Sequence, residues 1–99
     1  MRFEIVLERR AMNDIAKAVD YYDEQQKGLG KKFAKEVDIS FSALSKNPFY
    51  QIRYDDYRCL PLKRFPFMIH FIVDEAAKLV IVYAVIHTSL DPQTNWLIN

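Results

Sequence analysis

Cysteine occurs once in this chain, as Cys59, so no intrachain disulfide can form and a zinc site built from several thiolates is excluded. Glycine and proline are scarce, with 2 and 4 residues, while 51 % of the chain is apolar. That balance argues for a packed globule and against a disordered or low-complexity chain. No long hydrophobic run is present: the longest, residues 79–86, is too short to cross a bilayer. Residues 1–8 carry Arg2, Glu4 and Glu8 where a secretory signal needs an apolar segment. The expected location is therefore the reducing cytoplasm, with no membrane partner. There is also no excess of one charge, because 14 Lys and Arg stand against 13 Asp and Glu for a net +1. Such a chain is not suited to coating nucleic acid, and direct DNA binding by it alone is not expected. No glycine-rich loop could cradle phosphate, and no carboxylate pair has the setting of a glycosidase. His, Cys, Asp and Glu show no metal-ligand spacing, so neither a metal nor a cofactor is expected.

What is present centres on residues 65–87, two apolar segments of strand length separated by a charged turn at 74–78. In residues 67–74, Phe67, Ile69, Phe71 and Val73 alternate with Met68, His70, Ile72 and Asp74, the period of a pleated strand. Residues 79–87 are apolar on both faces, which places that strand centrally in a sheet. Residues 2–8 alternate as a short strand with Phe3, Ile5 and Leu7 on one side. Over residues 9–26 the period changes: Met12, Ile15, Val19 and Tyr22 step by three and four, predicting an amphipathic helix with no Ser, Thr or Asn cap. Gly28 and Gly30 break it and can take positive φ. A second helix carries Leu29, Phe33, Val37, Phe41 and Leu44 and ends before Asn47-Pro48.

Two helices joined by so short a turn lie antiparallel and supply the lid that the sheet needs. Residues 49–56 form an aromatic-rich loop without an assigned element. Residues 57–62 make a strand whose Pro61 implies a free side. The predicted fold is α+β in the order β-α-α-β-β-β: one domain over residues 1–99, an antiparallel sheet with the first strand beside it, and an N-terminal helical hairpin on one face. The tail, with Asp91-Pro92 and Trp96, is expected to turn back so that the indole covers the sheet edge.

Candidate chemistry is sparse. His70 and His87 are the only side chains whose ordinary pKa suits proton transfer near neutrality, and strand packing explains both more simply. Cys59 beside Arg58 has one neighbouring cation, which favours an inert thiol. Lys27, Lys31, Lys32 and Lys35 form one basic cluster, and Arg53, Arg58, Lys63 and Arg64 form another.

Taken together, Ala11, Asp14-Ile15, Tyr21-Tyr22, Gly28-Leu29-Gly30, Phe33, Leu44 and Asn47-Pro48 carry a resemblance that covers nearly the whole chain. It continues through Arg58, Arg64-Phe65-Pro66-Phe67 with Ile69 and Phe71, Ala84-Val85-Ile86-His87, Asp91-Pro92 and Trp96. In this order the chain resembles the RelE/ParE superfamily, the toxins of bacterial type II toxin–antitoxin systems associated with growth arrest and plasmid stabilisation. The resemblance implies the same β-α-α-β-β-β fold and a cognate antitoxin as partner, with a hetero-oligomer of the two.

The superfamily contains RelE-like ribonucleases that cut messenger RNA on the ribosome and ParE-like members that inhibit DNA gyrase. This chain departs from the nuclease pattern. It has Cys59-Leu60-Pro61-Leu62 and Met68 where the nucleases place cations, and Ser89-Leu90 ahead of Asp91-Pro92 where many relatives have arginine. A nuclease without those groups loses several kcal/mol of transition-state stabilisation. The resemblance therefore implies the ParE-like activity, with Arg58, Arg64, His87, Trp96, Lys31 and Lys35 as target- or partner-binding residues. Two alternatives stay open: an endonuclease using Arg58, Lys63, Arg64 and His87, and a decayed, non-toxic member that still binds its antitoxin.

Overall fold

The structure, a computed structural model, describes residues 2–90. Seven elements follow one another: β1 (Glu4–Leu7), α1 (Arg9–Gln25), α2 (Leu29–Lys46), β2 (Ile52–Tyr54), β3 (Tyr57–Pro61), β4 (Phe67–Asp74) and β5 (Leu79–His87). The predicted order holds, with one added strand: β2 arises from the stretch read as a loop. At three residues it is too short to show alternation. The tail and its Trp96 lie outside the described residues.

The sheet order is β1-β5-β4-β3-β2. β2 to β5 are antiparallel to their neighbours, whereas β1 pairs with β5 in parallel, Glu4 opposite Leu79 and Leu7 opposite Val82. The sheet is therefore mixed. The expected antiparallel arrangement holds for four strands, and β1 runs the other way because the whole chain between it and β5 is a crossover connection. The doubly apolar β5 is indeed paired on both edges. Pro61 also lies where β3 has a neighbour on one side only, since β2 reaches no further than Arg58.

Both helices cover one face. Phe33, Val37 and Leu44 of α2 and Ala11 and Ala18 of α1 are buried against Ile69, Phe71, Val80, Val82 and Val85. The α2 stripe matches its predicted spacing. On α1 the predicted Ile15, Val19 and Tyr22 pack on the core beside the buried Ala11 and Ala18, while Met12 is 50 % exposed. Two small residues allow α1 to approach the sheet where a methionine could not. Near the helical turn, Tyr22, Phe33, Phe65 and Phe67 form an aromatic knot with ring centroids 4.9–6.0 Å apart. This is the packing role of the Phe65-Pro66-Phe67 segment.

The two glycines act differently. Gly28 takes φ 88° and turns the chain from α1 into α2, as expected of such a glycine. Gly30 is helical, which corrects the expectation of positive φ. A Cβ there would strike the Val19 carbonyl and the Asp23 carboxylate, and the Gly30 N–H donates to Asp23 Oδ1 at 2.8 Å. Gly30 is needed for the closeness of the two helices. The missing N-cap on α1 is replaced by continuity with β1: the Glu8 N–H donates to the Val82 carbonyl, and the Glu8 carbonyl accepts from Met12.

β5 contains a register shift opposite His70 and Phe71, where Ala84 and Val82 are the respective partners and Tyr83 is the extra residue. The shift moves the core-facing series from Val80 and Val82 to Val85. Beyond the last β1 pair, the Val85 N–H donates to Asp14 Oδ2 at 3.1 Å, tying α1 to the bulged strand. Burial raises the Asp14 pKa, opposed by the Val85 hydrogen bond and by Arg10 at 3.4 Å.

Candidate functional site

Two concave features flank the β3–β4 hairpin. The larger is a groove of about 1080 Å³ between the outer side of α2 and the chain running from β3 into β4. Lys32, Lys35, Glu36, Ile39, Ser40 and Ala43 form its α2 wall, at steps of three and four that place them on one side of the helix. Tyr50, Leu60, Pro61, Lys63, Arg64 and Phe65 line the opposite wall, and Tyr22 and Leu29 also line the groove. The floor is apolar and the rim is basic. Glu36 is the groove's one carboxylate, and its Oε2 accepts the Arg64 backbone N–H at 2.9 Å, pinning the hairpin loop to α2. Ile39 is 60 % exposed, a high value for a branched aliphatic side chain in a groove wall.

The smaller feature is a recess of about 260 Å³ on the sheet face away from the helices, lined by Arg53, Tyr54, Cys59, Met68, His70, His87, Thr88 and Leu90. The register places Cys59 opposite His70, so both side chains share that face. His70 is 3 % exposed, with Nδ1 2.8 Å from Tyr54 Oη and 3.3 Å from Cys59 Sγ. Burial, with a contribution from Arg53, lowers the imidazole pKa to about 4, so the ring is neutral at pH 7. Burial raises the Cys59 thiol and, together with nearby groups, the Tyr54 phenol. A reactive thiolate paired with imidazolium requires the opposite shifts, so this trio is a set of neutral hydrogen-bonding groups. Sequence reading assigned Cys59 no histidine neighbour; pairing of β3 with β4 supplies one.

The nuclease candidates do not all line one concavity. Lys63 and Arg64 line the groove, whereas His87, the last residue of β5, lines the recess while its ring lies 5.6 Å from that of Phe67, its partner across the sheet. Arg58 lies on β3 opposite Phe71, where its Nη1 donates to the Tyr50 carbonyl at 2.6 Å and its guanidinium sits 5.5 Å from the Phe49 ring centroid. That geometry braces the segment leading into β2. The Ser89 N–H donates to His87 Nδ1 at 3.1 Å, so in the neutral ring the proton sits on Nε2. Of the other residues expected to bind a partner, Lys35 lines the groove, Lys31 is exposed on α2 outside it, and Trp96 lies beyond the described residues. Sequence reading missed Ile39, Ala43 and Tyr50 as wall residues. The available signal was Ile39, an aliphatic residue off the buried α2 stripe. Arg53 and Tyr54 had no such signal. Among the described residues no group of three His, Cys, Asp or Glu side chains could hold a metal ion, and no helix is long and apolar enough to cross a membrane.

Comparison with solved structures finds the same fold in toxins of toxin–antitoxin systems. A chain of the chromosomal ParDE system from P. aeruginosa superposes with a TM-score of 0.74 at 19 % identity, covering 87 % of this chain and 96 % of that one. A chain of the RelBE toxin–antitoxin complex from Mycobacterium tuberculosis gives 0.64 at 16 % identity, covering 88 % and 99 %. A chain of the intact E. coli RelBE complex gives 0.65 at 15 % identity, covering 84 % and 93 %. No curated protein matches the sequence significantly. The family model described as the ParE toxin of the type II toxin–antitoxin system parDE matches residues 5–92. With most of its length in that match, this chain belongs to the ParE toxin family within the RelE/ParE superfamily.

Proposed function

We propose that this protein arrests growth by binding DNA gyrase and that a cognate antitoxin neutralises it by laying an apolar segment along the groove beside α2. The observation that carries this reading is the division of the nuclease candidates: Lys63 and Arg64 line one concavity, His87 lines another at the end of β5, and Arg58 braces a loop. Messenger RNA cleavage needs a general base and cations around one phosphate. Binding a protein needs a broad apolar floor with a polar rim, which the groove has. Chains of similar fold belong to ParDE and RelBE toxin–antitoxin systems, which supports an antitoxin as partner.

Induced expression of this chain alone should stop growth, and co-expression of the small protein encoded beside it should restore growth. Supercoiling by purified gyrase should fall as the protein is added. Codon-linked cuts in messenger RNA from induced cells, with supercoiling unchanged, would overturn the gyrase reading in favour of the endonuclease.

A further inference from the structure

The groove beside α2 is not uniform along its length. α2 contributes Lys32 and Lys35 from its first half, and the opposite wall brings Lys63 and Arg64 to the same end through the Arg64 N–H bond to Glu36. Past Glu36 the helix offers only Ile39, Ser40 and Ala43, while Tyr50 and Leu60 continue the far wall. One end is therefore lined by four cations and one carboxylate, and the other by no charged side chain, its nearest cation, Arg58, being bonded to the Tyr50 carbonyl behind the wall.

We infer that the groove selects a polarised partner segment, with Asp and Glu gathered at one end to meet Lys32, Lys35, Lys63 and Arg64, and aliphatic residues at the other to cover Ile39, Ala43 and Tyr50. This inference rests on the reading of the groove as the antitoxin site and adds the order of its contents. An amphipathic segment with acids distributed evenly would place some of them over the uncharged half. There they would be desolvated away from the four lining cations, a cost that works against the wrong register. The order of acidic and apolar blocks thereby fixes how the segment lies.

The test uses the full chain and three labelled synthetic amphipathic helices of one composition: acids in the first half, acids in the second half, and acids interspersed among the aliphatic positions. Fluorescence anisotropy at low salt should show one of the two block peptides binding about tenfold more tightly than the interspersed one, the scale of a few favourable charge contacts. High salt should remove most of that preference by screening. The Lys32→Glu/Lys63→Glu double variant should abolish the preference, while Ile39→Asp should weaken every peptide. Both variants change exposed positions, and an unchanged melting temperature confirms that they fold. Equal binding of all three peptides, or a preference untouched by the lysine reversals, overturns the inference. If equal binding accompanies an antitoxin that protects this groove, the polarity fails and the site stands. If the antitoxin protects a different surface, the underlying reading fails as well.

Discussion

The groove beside α2 and the recess on the opposite sheet face differ in how their polar groups are used. In the groove, the basic side chains of Lys32, Lys35 and Lys63 are exposed around an apolar floor. In the recess, Tyr54 and Cys59 both meet His70 Nδ1, and burial favours the neutral form of each of the three. The first arrangement leaves charge and apolar area available to something else; the second is largely internally satisfied. The difference teaches that titratable residues in a cleft do not by themselves make a reactive site. The sign of each pKa shift and the partner behind it decide the matter.

That contrast can be broken most severely by removing what both regions share. Phe33 is fully buried beneath the helical hairpin and packs on Phe65 and Phe67, so Phe33→Ala should cost about 3–5 kcal/mol in denaturant unfolding. Next is the pH dependence of the recess. The folded-state pKa of His70 lies near 4, below the ordinary 6.5, so the unfolded chain binds the extra proton between those values. Stability from this residue should be fully present above about pH 6.5 and fall by up to about 3 kcal/mol as pH drops toward 4, then level off. In His70→Gln that contribution should vanish. Asp14 acts in the other direction, since its raised pKa makes protonation favour the folded state; the wild type should gain on Asp14→Asn as pH falls through the carboxylate range. Tyr54→Phe removes one neutral hydrogen bond and should cost about 1 kcal/mol without changing partner affinity. Smallest in stability is Ile39→Ser, within about 0.5 kcal/mol because the residue is exposed. The same change should weaken antitoxin binding measured by calorimetry, and this is where groove and recess should part.

Much of the architecture was legible because its signals are periodic. The alternation through Phe67, Ile69 and Phe71 and the steps through Phe33, Val37 and Leu44 each follow from burying one face. The direction of β1 was not legible, since alternation is the same in parallel and antiparallel pairs. The bulge at Tyr83 was hidden as well: β5 is apolar on both faces, so a shift in phase leaves no polar residue out of place. The candidate site was legible only in part. Lys35, Lys63 and Arg64 belonged to recognisable basic clusters, but a cluster along the chain does not reveal which face its members line. The Tyr54, Cys59 and His70 contact depends on strand pairing across 11 and 16 residues, which no local pattern reports.

The most direct test of the contrast is hydrogen exchange on this protein with and without the antitoxin that restores growth. The account predicts new protection in the α2 backbone around residues 35–43 and in residues 60–66, with β2 and the residues around His70 and His87 unchanged. Protection confined to the recess, with α2 exchanging as in the free protein, would contradict it.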